Sequence, residues 1–527
     1  MKLVRRALVW AAPLVFIGVL FYWPAGRLLG LGFDQLVTSG VATDHHTLPT
    51  VWFTVWQALL SSALCLPVGL AGAYLLYRKS FPGQSFLRAV SLIPFMLPVV
   101  TIGIAFSTFQ NGNTSFWWII LAHVFINAPL TIRVVGSHWI TLDPEIEEAS
   151  ELAGAGRWRT FWSITFPQLR SSVASSMALT TVYCLASFGV VLILGSSGTQ
   201  TIETLIYQSA VRELDLARAS LLCLLQLGLT AGVFIIASRL GRVSPLLTQA
   251  TRSSSTRLDG RDFPLGIIGV LLGLLALIPV GSLVIRAFTY DMVFSLQNFA
   301  NLLTTGTREL LSINVVEATG NSLRNTAIAT ALAMIVGFAV SYLLTHSHSK
   351  FGILFLRLAY VVPLGVSTVL LGLGYLIGFS QPPFELRSSW LVIPLAQSLI
   401  ALPLVVRLLT DSLKEVPVET REAAALDGAS EAQVWWHVEL ALTRPTIAAA
   451  AGFAAVMALG DFGAASFLSF GEQETLPVVL YSLIARPGGT NYGMAMAASA
   501  LLMVAVTVVV LAVSWRPKRA NQDSLLG

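Results

Sequence analysis

The sequence predicts an all-α membrane protein of about twelve transmembrane helices in two parallel six-helix repeats. Three observations carry that expectation. Hydrophobic residues make up 55% of the 527-residue chain and charged residues only 11%, where soluble domains carry about a quarter. The apolar residues fall in runs near the ~20 residues that a helix needs to cross a bilayer. The two halves of the chain also align with each other.

Apolar runs bounded by charged or Pro/Gly-rich breaks give spans near residues 8–30, 51–77, 87–108, 115–139, 171–195, 217–239, 263–287, 322–344, 352–379, 389–410, 446–470 and 493–515. The first follows MKLVRR in the outline of a signal peptide, but it runs on through Phe21, Tyr22 and Trp23 without a small-residue cleavage site. It reads as a retained helix. With the N-terminus inside, the inner loops hold most of the basic residues, among them Arg5, Arg6, Arg78, Lys79, Arg157, Arg159, Arg421 and Lys518, whereas the outside keeps chiefly Arg27, Arg212, Arg308, Arg387 and Arg486. The positive-inside rule then puts both termini in the cytoplasm. The net charge of +5 is spread over these short loops rather than gathered on one basic face, so nucleic acid is not an expected partner; lipid is. Cys65, Cys184 and Cys223 lie inside apolar runs without metal-type spacing and read as small buried hydrophobes.

The polar stretch 242–262, with TRSSSTRLDGRD, separates a first transmembrane domain at 1–241 from a second at 263–527. ALLSSALCLPVGLAGAYLL before Tyr77 resembles TALAMIVGFAVSYLL before Thr345. At a constant offset of 274, Pro129 meets Pro403, Arg133 meets Arg407, Gly154 meets Gly428, Gly189 meets Gly463 and Tyr207 meets Tyr481. Six crossings per half is an even number, so both halves enter the membrane in the same direction and are related by an axis along its normal.

The loop after the fourth span, 143–170, reads DPEIEEASELAGAGRWRTFWSITFPQLR. Asp143 can cap a helix that opens on Pro144, with Glu145, Glu147 and Glu148 at its positive end. Ala149, Ala153 and Ala155 with Gly154 and Gly156 permit a sharp turn and close approach by another body, and Trp158, Phe161 and Trp162 offer an apolar face. The corresponding loop, 415–445, contains REAAALDGASEAQVWWHVELALTRP.

Glu148, Ala149, Gly154, Ile164 and Pro167 fall at the spacing of the EAA loop of ABC-type importer permeases, and the chain resembles that family. Glu422, Ala423, Ala424 and Gly428 repeat the pattern, with Val438 in the Ile position and Ala441 where the family usually has Pro. The resemblance implies a type I importer permease fold in a bacterial cytoplasmic (inner) membrane. It also implies that each loop docks on one of two copies of an ABC ATP-binding subunit, whose closure on ATP rocks the halves between inward-open and outward-open states. ATP and Mg are then expected on the partner, since G-x-x-x-x-G-K-[ST] is missing here. An extracytoplasmic solute-binding protein is implied too, received in part by the outer segment that begins at Gly471. LAHVFINAPL (121–130), TIETLIYQSAVRELDLARASLL (201–222) and GDFGAASFLSFGEQETLPVVLY (460–481) are similar to bacterial thiamine permeases; ferric iron permeases share parts of the last. Thiamine or its phosphates come first as expected solute, ferric iron next.

Asp461, between Gly460 and Gly463 in a predicted span, has two readings: attraction of a cationic solute, or a pair inside the bundle. His123 and Asn127, with Gln397 as the repeat counterpart of His123, are further polar residues of a possible substrate pathway or of interhelical hydrogen bonds. His45, His46, His346 and His348 have no ligand-like partners beyond Asp44 and read as solvated loop residues, so no metal site is expected. No HExxH, GxSxG or His/Asp cluster supplies catalytic residues. An ion-coupled secondary transporter is the alternative class, but it leaves two EAA loops unexplained.

Overall fold

The computed structural model describes residues 2–39, 47–91, 93–110, 114–196, 198–240, 256–257, 263–307, 309–347, 349–486 and 488–514. Helices occupy all twelve regions where the sequence predicts a span. Among the described residues, eight of them are long and apolar enough to cross a membrane unaided, from Trp10–Thr38 to Gly489–Leu511. Strand structure is confined there to two ladders of two residues each.

Four predicted spans are interrupted rather than continuous. The third is a pair of segments, Gln84–Met96 and Val99–Ser107, bent by 91°. Pro98 sits at the bend in an extended conformation (ψ 132°), because it lacks the N–H that would continue the ladder. The ninth breaks at a 3₁₀ turn, Val362–Gly365, that contains Pro363. In the fifth, Phe166–Leu185 gives way to a short helix, Gly189–Leu194. The eleventh breaks in the same way between Leu440–Leu459 and Ala465–Leu468. Apolar composition is satisfied equally by one long helix and by two short ones, so these breaks are not written in hydropathy.

Contacts group the described residues into two compact units. One holds the residues up to Leu28, Ser312–Val479 and those from Leu501; the other holds Leu29–Leu311 and Leu480–Ala500. In the first unit, Val315–His346, Val392–Lys414 and Leu440–Leu459 pack on one another. The N-terminal helix joins them through Trp23, whose Nε1 donates to the Gly378 carbonyl at 3.0 Å. In the second unit, Thr47–Ala73, Phe116–Trp139 and Phe166–Leu185 form the equivalent trio. Of the expected linker 242–262, all but Thr256–Arg257 lies outside the described residues; that pair forms a parallel ladder with Lys79–Ser80.

Between lipid-embedded helices hydrophobicity gives little net attraction, so close approach through small residues and side-chain hydrogen bonds has to hold them together. The buried face of Thr47–Ala73 is accordingly made of Thr54, Ala58, Ser61, Ser62, Cys65, Gly69 and Gly72. A Cβ on Gly69 would run into the Thr131 side chain, and one on Gly337 would come within 2.6 Å of Val405 Cγ1. The two crossings are repeat equivalents, since Gly69 and Gly337 stand eight residues before Tyr77 and Thr345. Gly320, by contrast, faces open space.

Overpacking of such a crossing costs about 1–3 kcal/mol. Gly69→Ala and Gly337→Ala should therefore each lower the midpoint of thermal unfolding in detergent, while Gly320→Ala should leave it unchanged or raise it. Equal midpoints for all three variants would contradict this packing.

Candidate functional site

The two loops singled out in the sequence have one backbone design. In the first, the Asp143 carboxylate accepts the Glu145 N–H at 3.0 Å and Pro144 opens a helix, Pro144–Leu152, that buries none of its side chains. Its end is a Schellman turn: Gly154 takes φ +87°, the Ala155 N–H donates to the Ser150 carbonyl and the Gly154 N–H to that of Glu151. The second loop repeats the turn after Val418–Leu426, with Gly428 at φ +90°, Ala429 bonded to Ala424 and Gly428 to Ala425. A left-handed φ at this point is what makes glycine the fitting residue. Both loops then enter the following helix through a π-turn, Phe161–Thr165 and Val434–Glu439.

Of the residues expected to dock, Glu148, Ala149, Gly154, Pro167, Glu422, Ala423 and Gly428 are exposed, and Ile164, Ala424 and Val438 are half-buried. Trp158 and Trp162 present their rings to the outside, but Phe161 turns inward against Trp139, with ring centroids 6.0 Å apart. The most exposed apolar side chains of the loops were not singled out by sequence reasoning: Leu152 is 89% exposed and Leu426 88%. They stand at the same offset of 274 as the glycines, which was the available signal.

Each loop helix is tied to its bundle by ions. Arg78, at the end of the second-span helix, pairs with Glu147 at 2.7 Å and donates to the Leu142 carbonyl at 3.2 Å. The other Glu147 oxygen accepts the Thr165 hydroxyl at 2.8 Å. In the second loop, Arg421 Nε lies 2.9 Å from Glu439 Oε1 without hydrogen-bonding alignment, while its Nη2 donates to the Leu413 carbonyl at 2.7 Å. His346 Nε2 meets the same Glu439 oxygen at 3.0 Å. This corrects the reading of His346 as a solvated loop residue: it ends the helix Val315–His346 and stacks on Tyr342. His45, His46 and His348 lie outside the described residues.

The polar residues proposed for a pathway form hydrogen bonds within their own units. His123 Nε2 meets Ser187 Oγ at 2.7 Å and its Nδ1 meets Ser61 Oγ at 3.2 Å. Asn127 donates to the His123 carbonyl at 3.0 Å. The Asp461 carboxylate accepts the backbone N–H groups of Ala464 (3.2 Å) and Ala465 (3.3 Å). Gln397 and Asp461 are the repeat counterparts of His123 and Ser187, the pair that joins the fourth-span helix of the first half to the break in its fifth. All four of His123, Asn127, Gln397 and Asp461 are buried. Sequence reasoning missed Ser187 and also Glu203, a fully buried carboxylate on the short helix Ile202–Tyr207.

A cleft of about 390 Å³ opens in the unit of the second loop, lined by Glu385, Arg387, Trp390, Phe470 and Gln473 among others. Helix Val392–Lys414 starts beside it and ends at the Arg421 contact. At 1.5 Å per residue that puts cleft and docking loop about 34 Å apart.

Among curated proteins, the thiamine transport system permease protein ThiP of Salmonella typhimurium is 26% identical over 476 residues, covering 85% of each chain. The ferric transport system permease protein FbpB of Actinobacillus pleuropneumoniae is 24% identical over 522 residues, covering 93% of this chain and 72% of the relative. Among solved structures, a bacterial ABC transporter involved in import of the acidic polysaccharide alginate matches 46% of this chain and 97% of that one at 17% identity; its TM-score of 0.39 is too low to bear on the fold. The family model for binding-protein-dependent transport system inner membrane components matches twice, over residues 65–242 and 346–519, one match in each half. The chain belongs to that family, the permeases of ABC importers, and is a multi-pass inner membrane transport protein whose family implies an ATP-binding subunit and a solute-binding protein.

Proposed function

We propose that this permease imports thiamine or its phosphates, with ferric iron the next candidate, by alternating access driven by two copies of a separate ABC ATP-binding subunit. ATP and Mg bind to those subunits, and both termini of the permease lie on their side of the membrane. The observation that carries the reading is the duplicated loop: an exposed helix, a Schellman glycine and a protruding leucine, in each half. An isolated leucine that stays almost wholly in contact with water gains most from being covered by another protein. The cleft at Arg387 and Trp390 lies at the far end of helix Val392–Lys414 from such a loop, which suits reception of solute from an external binding protein. Thiamine is favoured because the thiamine relatives match along most of both chains. Membership of the importer family leaves no need for an ion-coupled carrier.

Burying a leucine contributes about 1.5–3 kcal/mol. Leu152→Asp and Leu426→Asp should each weaken capture of the ATP-binding subunit about tenfold or more in a pull-down from detergent, with the permease itself still stable. Unchanged capture by the double variant would remove the leucines from the interface.

Alanine at a left-handed position costs about 1 kcal/mol and is relieved by reshaping the turn. Gly154→Ala with Gly428→Ala should thus cut uptake severalfold at unchanged membrane abundance; full uptake would show that the turn geometry does not matter. For the solute, uptake of labelled thiamine and of labelled ferric iron should be compared in cells with and without the chain, partners present. Loss of thiamine uptake alone is expected; loss of iron uptake alone would reassign the solute.

A further inference from the structure

The ion pairs behind the two docking helices occupy the same three positions of the repeat. Arg78 follows Tyr77 at the end of the second-span helix as His346 follows Thr345. At the offset of 274, Glu147 on the first docking helix meets Arg421 on the second, and Thr165 meets Glu439 where the next helix begins. Arg78 stands at the first position in one half and the His346 imidazole in the other. The carboxylate, however, has moved from the docking helix to the base of the fifth-span helix, and the residue at that position of the docking helix has changed from Glu147 to Arg421.

Burial follows the exchange. In the first half the deep member is the cation, Arg78, 3% exposed against 24% for Glu147. In the second it is the anion, Glu439, 2% exposed against 27% for Arg421 and 28% for His346. A charge taken out of water is stable only beside its partner, so the deep group fixes where the more exposed one must stay. Each triad therefore joins three elements, the docking helix and the ends of two membrane helices, and a neutral substitute at Glu147 would remove the Arg78–Glu147 ion pair that ties the first docking helix to its bundle.

We infer that Arg78–Glu147–Thr165 and His346–Arg421–Glu439 are two clasps of reversed polarity that carry displacement of each docking helix into its helix bundle. This rests on the reading of those helices as docking sites for the ATP-binding subunit. The six side chains are positioning residues: they act on the solute through the helices they join. What matters in a clasp is that one carboxylate meets an arginine at these positions, not which element supplies it.

The reversal provides its own test, because the arrangement of one half can be written into the other. E147R, T165E and the double variant E147R/T165E are compared in proteoliposomes that hold the permease with its ATP-binding subunits and binding protein. Solute moved per ATP hydrolysed is read with labelled thiamine and labelled ferric ion offered separately, alongside co-purification of the ATP-binding subunit. E147R replaces the Glu147 carboxylate beside Arg78 with a second arginine and should lower the ratio at least tenfold while the subunit still co-purifies. The double variant rebuilds the second-half clasp and should recover to within threefold of wild type. If E147R does not accumulate, E147Q against E147Q/T165E carries the same expectation, since Glu at 165 again gives Arg78 a carboxylate. A double variant worse than either single one, or single variants with the wild-type ratio, would overturn the clasps. Failure of the wild-type chain to retain the ATP-binding subunit at all would instead overturn the docking reading.

Discussion

A charge withdrawn from water has to be paired, and in this protein that requirement fixes where the exposed loops stand relative to the helices. Breaking a buried pair by removing one partner costs about 3–5 kcal/mol. Arg78 and Glu439, the most buried members of their groups, therefore hold Pro144–Leu152 and Val418–Leu426 in set positions although neither helix buries a side chain of its own. Without such ties, a nine-residue helix with no apolar face against the bundle would have little to order it. The Schellman turns at Gly154 and Gly428 then fix the direction in which the chain leaves each helix.

Within each unit the same economy appears in different chemistry. Close crossings at Gly69 against Thr131 and Gly337 against Val405 bring backbones together where hydrophobic attraction is weak. His123 with Ser187 ties the fourth-span helix to a break in the next, and Asp461, the repeat counterpart of Ser187, accepts the backbone N–H groups at the matching break. The repeat has kept the geometry of these contacts and exchanged the groups that make them. Asp461 accordingly has the surroundings of a satisfied carboxylate, capping the short helix Ala465–Leu468.

The fold was largely legible because bilayer thickness imposes one length on every span, and because a duplicated sequence states its topology twice. Gly154 and Gly428 were legible for a local reason: the turn is decided by residues within six positions of it. The interruptions at Pro98 and at Ser187 were not, since apolar composition is indifferent to a bend. Nor were the ion groups, whose members lie 69 residues apart for Arg78 and Glu147 and 93 apart for His346 and Glu439. His346 looked like a solvated histidine because nothing near it in sequence betrays Glu439. Leu152 and Leu426 escaped notice because their one sequence signal, the shared offset of 274, does not show that either leucine is exposed.

The chain's family implies an ATP-binding subunit, and on the function proposed above each of the two charged, protruding loops receives one copy of it. The most direct measurement is the mass of the intact complex, released from detergent, of this chain with that subunit. Two ATP-binding subunits on one permease chain is the predicted result. A complex saturated at one subunit, or one in which two permease chains are needed to hold two subunits, would contradict it.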